Sequence, residues 1–275
     1  MALSVATNIG ALAASKAAFN VNSAMETSMA RLSSGKRINS AADDSAGLAI
    51  STRLTAEARG LDMAARNSAD AQAMINTIES AHNEIHNILQ RMRELAVQGA
   101  NDTNGTDDRT NIRTELRELH EEIDAIKNQT KWAGQSLISG ASTFTFQIGD
   151  EKDELLTVTT TAISTSGLSV GSTQVGSLTA SASFSAFITT VNNAISSVAS
   201  YRAEYGANSN RLDHVMSNLA TNSEAVKASL GRIQDTDYAA ETTSLAKSQI
   251  LQQAATSMLA QANASKQTIL SLIQG

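Results

Sequence analysis

Residues 61–96 decide the fold of this chain and read LDMAARNSADAQAMINTIESAHNEIHNILQRMRELA. Apolar and small residues recur in this stretch at alternating intervals of about four and three: Leu61, Ala65, Ser68, Ala71, Ile75, Ile78, His82, Ile85, Leu89, Met92 and Ala96. An average interval near 3.5 residues puts them on one face of an α-helix, as in a coiled coil. At about 1.5 Å per residue, we expect this helix to be roughly 55 Å long.

Two further helices are predicted by the same spacing. The first carries Ile112, Leu116, Leu119, Ile123 and Ile126 and is expected to end near Asn128. The second is longer and carries Phe184, Ile188, Val191, Ile195, Val198, Arg202, Tyr205, Ser209, Leu212, Met216, Leu219, Ser223, Val226, Leu230 and Ile233. Its polar members Arg202, Ser209 and Ser223 weaken the apolar face locally, and we expect them to contact a third helix or solvent.

Between these helices the pattern changes to one typical of strands. Residues 143–148 alternate in polarity, a Gly149-Asp150 turn signal follows, and residues 155–160 alternate in part, which predicts a β-hairpin. The segment from the hairpin to about Ser183 is rich in Ser, Thr and Gly, and we expect a low-complexity surface segment there.

Both ends of the chain are almost uncharged. Residues 1–30 contain only Lys16 and Glu26 as charged side chains, and residues 242–275 contain only Lys247 and Lys266. Each end still has an apolar stripe at helical spacing: Val5, Ile9, Leu12 and Phe19 in the first, Leu251, Ala255, Leu259, Ala262, Ile269 and Ile273 in the second. A helix exposed to water usually carries charge on its outer face. We therefore expect the two terminal helices to be covered by each other and by neighbouring copies, so that the chain self-associates.

These patterns predict a mainly α fold: an elongated antiparallel bundle of long helices, with coiled-coil-like terminal helices and a small β-hairpin insert. We expect three parts: terminal helices in residues 1–42 and 236–275, a helical bundle in 43–138 and 184–235, and the hairpin with its surface segment in 139–183. Asp43, Asp44 and Ser45 are suited to cap the helix that follows them.

Composition narrows the function classes. The 275 residues include no Pro and no Cys, so long uninterrupted helices are allowed and disulfide or thiolate sites are excluded. The formal net charge is −6 and the basic residues are scattered, which argues against nucleic acid as a partner. Neither a cationic leader with a cleavable apolar run nor a span of about 18 apolar residues is present, so we expect no cleaved signal peptide and no membrane insertion.

Candidate sites for chemistry are few, and no cofactor is expected. His82 and His86 lie four apart, a spacing that can hold a metal, but Glu84 is one position too late for a metallopeptidase motif. We expect packed histidines and no enzyme. Asp43 and Asp44 are better explained as a helix cap than as a cation site. The Ser and Thr side chains between Thr157 and Ser185 leave open either O-glycosylation or plain surface exposure.

Several blocks resemble bacterial flagellins. Residues 32–54 (LSSGKRINSAADDSAGLAISTRL) are similar to the N-terminal signature of that family. Residues 233–241 (IQDTDYAAE), 249–254 (QILQQA) and 259–263 (LAQAN) are similar to its C-terminal signature, and QRMRELAVQ at 90–98 also resembles the family. The resemblance covers most of the chain apart from residues 139–183.

The resemblance implies a filament subunit that polymerises with itself, with the terminal helices forming the inner tube. It also implies export of the unfolded chain through the flagellar type III channel, an export chaperone on the C-terminal segment, assembly under a filament cap protein, contact with a hook–filament junction protein and an extracellular location. A Toll-like innate immune receptor would bind the monomer through Arg91, Glu94, Leu95, Gln98 and Glu115. In an alternative interpretation, which we favour, these residues contact the next subunit of the filament.

Two departures from the family pattern carry expectations of their own. The short insert predicts a thin, smooth filament without large outer domains. The Pro that is common near residues 262–270 in the family is missing, which predicts that the last helix continues unbroken towards Gly275. A junction protein that forms a short ring and a secreted helical adhesin are the alternatives to a filament subunit.

Overall fold

The computed structural model describes residues 7–274, with side chains up to Thr268. The described chain is mainly helical, as predicted, and its helices are α1 (Ile9–Ser34), α2 (Ser45–Gly99), α3 (Thr106–Gln129), α4 (Ser172–Gly176), α5 (Ser181–Gln234) and α6 (Tyr238–Gln274). Its strands are β1 (Lys131–Trp132), β2 (Gln135–Ser136), β3 (Ser142–Gln147) and β4 (Leu155–Thr160). The chain divides into two compact units, residues 1–57 with 225–275 and residues 58–224.

The unit of residues 58–224 is built around the predicted face of α2. All predicted members of this face are buried except Ala65, whose neighbour Ala64 is buried in its place. Helix α3 adds Ile112, Leu116 and Ile123 to the same core. On α5 the prediction is right at seven positions, where the side chains are buried: Phe184, Val191, Val198, Tyr205, Leu212, Leu219 and Ser223. It is one residue off at Ile188 and Ile195, which are half-buried while their neighbours Phe187 and Ala194 are buried.

The polar members of the α5 face pair with α2, so the expectation of a third helix or solvent is wrong. Arg202 Nη2 lies 2.7 Å from Glu79 Oε1. Gln72 Nε2 donates to Ser209 Oγ at 2.5 Å, and Ser223 Oγ donates to Asp62 Oδ1 at 2.8 Å. Residue numbers rise along α5 as those of the partners fall along α2, so these stretches of the two helices are antiparallel.

The predicted hairpin forms from β3 and β4, with Phe144 opposite Val158 and Phe146 opposite Leu156. Leu156, Val158 and Thr160 are buried, and alternate residues of β4 are exposed. A second, unpredicted hairpin pairs β1 with β2. Its turn residues Ala133 and Gly134 have φ of 48° and 84°, as in the turns that best match strand twist.

The expectation of a surface segment after the hairpin is wrong. Ile163, Leu168, Val170, Val175 and Leu178 are buried in the core of this unit. Backbone bonds hold the segment in place, including one from Ile163 N–H to Ile138 O at 2.9 Å. These apolar residues have no helical or strand period, so composition concealed their burial.

In the other unit, α1 and α6 pair along their lengths in antiparallel fashion. Asn8 Nδ2 donates to Ala262 O at 3.0 Å, and Gln252 Nε2 donates to Asn22 Oδ1 at 2.8 Å. Helix α1 is followed by Gly35, which caps it with a φ of 70° that suits glycine. The next residue, Lys36, forms a β-bridge with Asp235. Helix α6 runs unbroken to Gln274, as the missing Pro predicted.

Candidate self-association surface

Alanine and serine make up much of the contact between α1 and α6. The residues of α1 that are at least half-buried include a series at intervals of three and four: Ala11, Ala14, Ala18, Val21, Met25 and Ser28. Those of α6 include a series with the same spacing: Leu245, Ser248, Gln252, Ala255, Leu259 and Ala262. Alanine and serine let two helices approach closely, and the larger side chains of Met25, Leu245 and Leu259 belong to the same series. Leu259, predicted to mediate self-association, lies in this contact and is half-buried.

The large apolar side chains of α1 point away from α6. Ile9, Leu12 and Phe19 are 69%, 68% and 73% exposed, and we name these three residues the α1 ridge. Helices α1 and α6 cover each other on one face, as expected, and cover of the α1 ridge by neighbouring copies stays a prediction. In the part of the chain that the structure describes, nothing covers the α1 ridge. Val5 lies outside the described residues, as do the side chains of Ile269 and Ile273.

A groove runs beside the contact between the two helices. Its volume is about 520 Å³, and its lining includes Gly10, Ala13, Ala17, Leu251, Ala254 and Met258; we name it the α1–α6 groove. None of its lining residues is charged. Leu251, another predicted self-association residue, forms part of its rim and is 43% exposed. The alanine spacing of α1 was the signal that could have revealed this groove from the sequence.

The predicted receptor residues fall on α2 and α3 of the other unit, where three of them form an ion-pair cluster. Arg91 Nε and Nη2 donate to Glu115 Oε1 at 3.0 and 2.8 Å, and Arg91 Nη1 donates to Glu94 Oε2 at 3.0 Å. The hydrogen bonds from Arg91 to Glu115, and next those to Glu94, raise the pKa of the guanidinium. The cluster is exposed, so it is a fixed, mixed-charge patch on the surface.

Leu95 and Gln98 have different surroundings. Gln98 is exposed next to the cluster, but Leu95 is only 2% exposed and packs in the core. The expectation that Arg91 and Leu95 share one contact face is therefore wrong. A partner that docks on the folded chain here would meet Arg91, Glu94, Gln98 and Glu115.

His82 is fully buried between α2 and α5. Its Nδ1 lies 2.8 Å from Ile78 O, and its ring meets the Tyr205 ring edge-on at 5.2 Å between centroids. Since a carbonyl oxygen only accepts, Nδ1 carries a proton, and the buried Nε2 has no hydrogen-bond partner. Burial lowers the pKa of His82. The prediction of a packed histidine is confirmed, and in residues 7–274 no three His, Cys, Asp or Glu residues are grouped to hold a metal ion.

Asp44 caps α2, as predicted, whereas Asp43 holds the turn that precedes it and does not cap this helix. Asp43 Oδ2 accepts from the N–H groups of Asn39 and Ser40 at 3.1 and 2.9 Å, and Asp44 Oδ1 accepts from Gly47 N–H at 2.8 Å. Hydrogen bonding, first from the Ser40 backbone, lowers the pKa of Asp43. The described helices include none that is long and apolar enough to cross a membrane.

Threonines form an exposed array on the larger hairpin. Thr143 lies opposite Thr159, and Thr145 opposite Thr157, with all four side chains exposed. Two of them, Thr157 and Thr159, belong to the range in which O-glycosylation was considered.

Comparison with known proteins places both halves of the chain in one family. Residues 5–143 match the model of the bacterial flagellin N-terminal helical region, and residues 188–273 match that of the C-terminal helical region. The chain is 40% identical to a flagellin of Halalkalibacterium halodurans over 90% of this chain and 92% of that protein. It is 37% identical to a flagellin of Bacillus subtilis over 97% and 98%.

Solved structures give a likeness in fold. A putative flagellar hook-associated protein from Vibrio parahaemolyticus superposes with a TM-score of 0.61 at 17% identity, covering 70% of this chain and all of that chain. At this identity the likeness concerns the fold alone.

Proposed function

Since this chain belongs to the bacterial flagellin family and is a structural subunit of the flagellar filament, we propose that its copies assemble by seating the α1 ridge of one copy in the α1–α6 groove of the next. Ridge and groove are different surfaces of one unit. A contact between two different surfaces is heterologous and repeats without closing, which produces a helical polymer.

The exposure of Phe19 carries this proposal. An aromatic side chain that is 73% exposed, on a helix with few charges, leaves apolar surface in water until another molecule covers it. Burying a side chain of this size stabilises by about 1.5–3 kcal/mol. The α1 ridge has three such residues, so its burial offsets part of the cost of ordering the terminal helices.

The remaining partners and the division of the chain also belong to the proposal. We propose that residues 1–42 and 236–275 form the inner tube of the filament, residues 43–138 and 184–235 the layer around it, and residues 139–183 the insert. We further propose that the chain contacts a filament cap protein and a hook–filament junction protein in the assembled flagellum. Before assembly, a chaperone binds the C-terminal segment, and the chain is exported by the type III route without a cleaved signal peptide. The filament lies outside the cell.

The patch of Arg91, Glu94, Gln98 and Glu115 has two roles in the proposal. In the filament it contacts the next subunit, and in the free monomer it binds an innate immune receptor. Its support is the exposed, mutually hydrogen-bonded geometry of Arg91 with the two glutamates. We expect the soluble monomer to bind the receptor, and we expect the intact filament not to bind it.

Seeded growth tests the assembly mechanism. Purified monomer is added to short filament seeds, and growth is followed by electron microscopy while the critical concentration is measured. Phe19→Ser, which removes the ridge, and Ala254→Leu, which fills the groove, are each expected to raise the critical concentration about tenfold or more. Phe19→Leu keeps an apolar ridge and serves as the matched control. A chain lacking residues 1–35 is expected to stay soluble and not to grow.

The outcomes separate two claims. If Phe19→Ser and Ala254→Leu grow as the unchanged chain does, the ridge-and-groove contact is wrong while the filament role stands. If the unchanged chain does not extend seeds, or makes only short rings, the chain behaves as a junction protein would.

A further inference from the structure

The turn between α2 and α3 contains the only Asn-Gly pair of the sequence, Asn104-Gly105. In such a pair the backbone nitrogen after asparagine can attack the side-chain amide, because glycine has no side chain to hinder the approach. The attack forms a bond from Gly105 N to Asn104 Cγ and breaks the bond from Cγ to Nδ2. The proton of the attacking nitrogen leaves with Nδ2 as ammonia. Water then opens the cyclic imide to aspartate or isoaspartate.

The structure holds both reacting groups of this pair in hydrogen bonds. Gly105 N–H, which must lose its proton to attack, donates to Asp108 Oδ2 at 2.9 Å. Asn104 Nδ2, the leaving group, donates to Gln98 O at 2.6 Å. Asn104 N–H donates to Asn101 O at 3.2 Å, so the backbone of the turn is also anchored. The side chain and the nitrogen that would attack it are thus engaged with different partners.

We propose that Asn104 is a latent deamidation site that the folded turn keeps inactive, with Asp108 as its lock. Asp108 is the third residue of α3, where a carboxylate commonly reaches back to the N–H group that precedes the helix. Here that contact also sequesters the nucleophile of the side reaction. Opening of the turn releases the nitrogen and the amide together, so modification at residue 104 records time spent unfolded or locally open.

The product changes the surface beside Gln98. Deamidation replaces the amide donor of Asn104 by a carboxylate, which cannot donate to Gln98 O. That carbonyl lies at the C-terminal end of α2, where the helix dipole disfavours a negative charge. The turn therefore loses the bond from residue 104 to Gln98 O and keeps only the one from Asn101 N–H at 3.2 Å. Gln98 belongs to the proposed contact patch. Deamidation of Asn104 therefore places a negative charge next to that patch.

Peptide mass spectrometry measures the reaction directly. The full chain is incubated in mildly alkaline buffer, folded or unfolded in urea, and the modified fraction at residue 104 is followed over time. The folded chain is expected to react roughly tenfold or more slowly than the unfolded one. Asp108→Ala is expected to bring the folded rate close to the unfolded rate, while Asp108→Glu, which can make the same contact, keeps it low.

Asp107→Ala is the matched control, because it removes an equal charge from the same helical turn without touching Gly105 N–H. Its rate is expected to equal that of the unchanged chain. Circular dichroism verifies that each variant retains its helices. Equal rates in folded and unfolded chains would overturn the proposal. So would an Asp108→Ala rate equal to that of the unchanged chain, or an equal acceleration by Asp107→Ala.

Discussion

The phenol oxygen of Tyr205 accepts a hydrogen bond from the backbone N–H of Thr161 at 3.1 Å, which joins α5 to the end of strand β4. Burial raises the pKa of the phenol, so the group stays protonated and neutral at physiological pH. Tyr205→Phe leaves a half-buried N–H without its partner, and we expect it to lower the free energy of unfolding by about 1–3 kcal/mol. Urea denaturation measures this change. Tyr201→Phe is the control, since Tyr201 does not bond to Thr161, and an equal effect would contradict the prediction.

His82 is expected to make stability depend on pH. Its pKa is lowered in the folded chain by burial and lies near 6.5 when unfolded, so between these values the unfolded chain binds more protons. Stability contributed by neutral His82 is therefore complete above about pH 6.5 and declines as the pH falls towards the folded pKa. The groups that face it are Glu79 on its own helix and Tyr201, Arg202 and Tyr205 on α5.

The pH prediction is tested by denaturation at several pH values. His82→Leu removes the titrating group, so the variant is expected to lose less stability on acidification than the unchanged chain does. Parallel pH profiles of the two proteins would show that His82 does not titrate as inferred.

Gly99 is expected to tolerate no side chain. A Cβ built there would lie 2.5 Å from the ring of Phe184, which is itself fully buried. Gly99→Ala should therefore destabilise by about 1–3 kcal/mol through overpacking. At Gly206, on α5, a Cβ would meet nothing within 4 Å. Gly206→Ala is accordingly expected to be neutral or to stabilise by up to about 1 kcal/mol, and thermal unfolding of both variants provides the comparison.

Leu95 and Gln98 separate a folding role from a contact role. Leu95→Ala empties a core position and is expected to lower the free energy of unfolding by about 2–5 kcal/mol. Gln98→Ala keeps the backbone carbonyl that Asn104 uses and should change stability by less than about 0.5 kcal/mol. Receptor binding by the monomer should fall for Gln98→Ala without any loss of stability. A stable Leu95→Ala variant would contradict the core assignment.

The long helices could be predicted because one face of each is buried over many turns. The α2 pattern from Leu61 to Ala96 is almost wholly buried, as expected. On α5 the strict 3.5-residue pattern is a residue off at Ile188 and Ile195. The buried face does not drift, because a seven-residue repeat stays buried throughout: Phe184, Val191, Val198, Tyr205, Leu212 and Leu219. The second buried position follows the first by three residues, at Phe187 and Ala194, and not by four as predicted. The polar pairs at Arg202, Ser209 and Ser223 could not be foreseen, since their partners are more than a hundred residues away.

The packing of the terminal helices and of the insert was harder to predict from the sequence. The sequence predicts an apolar stripe on α1 but not which face meets α6: Ala14 and Ala18 are half-buried, whereas Phe19 is exposed. The hydrophobicity of a helix face does not indicate whether that face is buried by the same chain or by another copy. In the insert, residues such as Val170 and Leu178 are buried without periodicity, so no local rule identified them.

The antiparallel pairs that link α2 and α5 determine how this unit carries load. A force that slides α2 along α5 loads all three pairs in shear at the same time: Glu79–Arg202, Gln72–Ser209 and Asp62–Ser223. Bonds sheared in parallel share the force, whereas bonds peeled from one end break in turn. In a filament subunit under load, these three cross-links therefore resist sliding of α2 along α5 together.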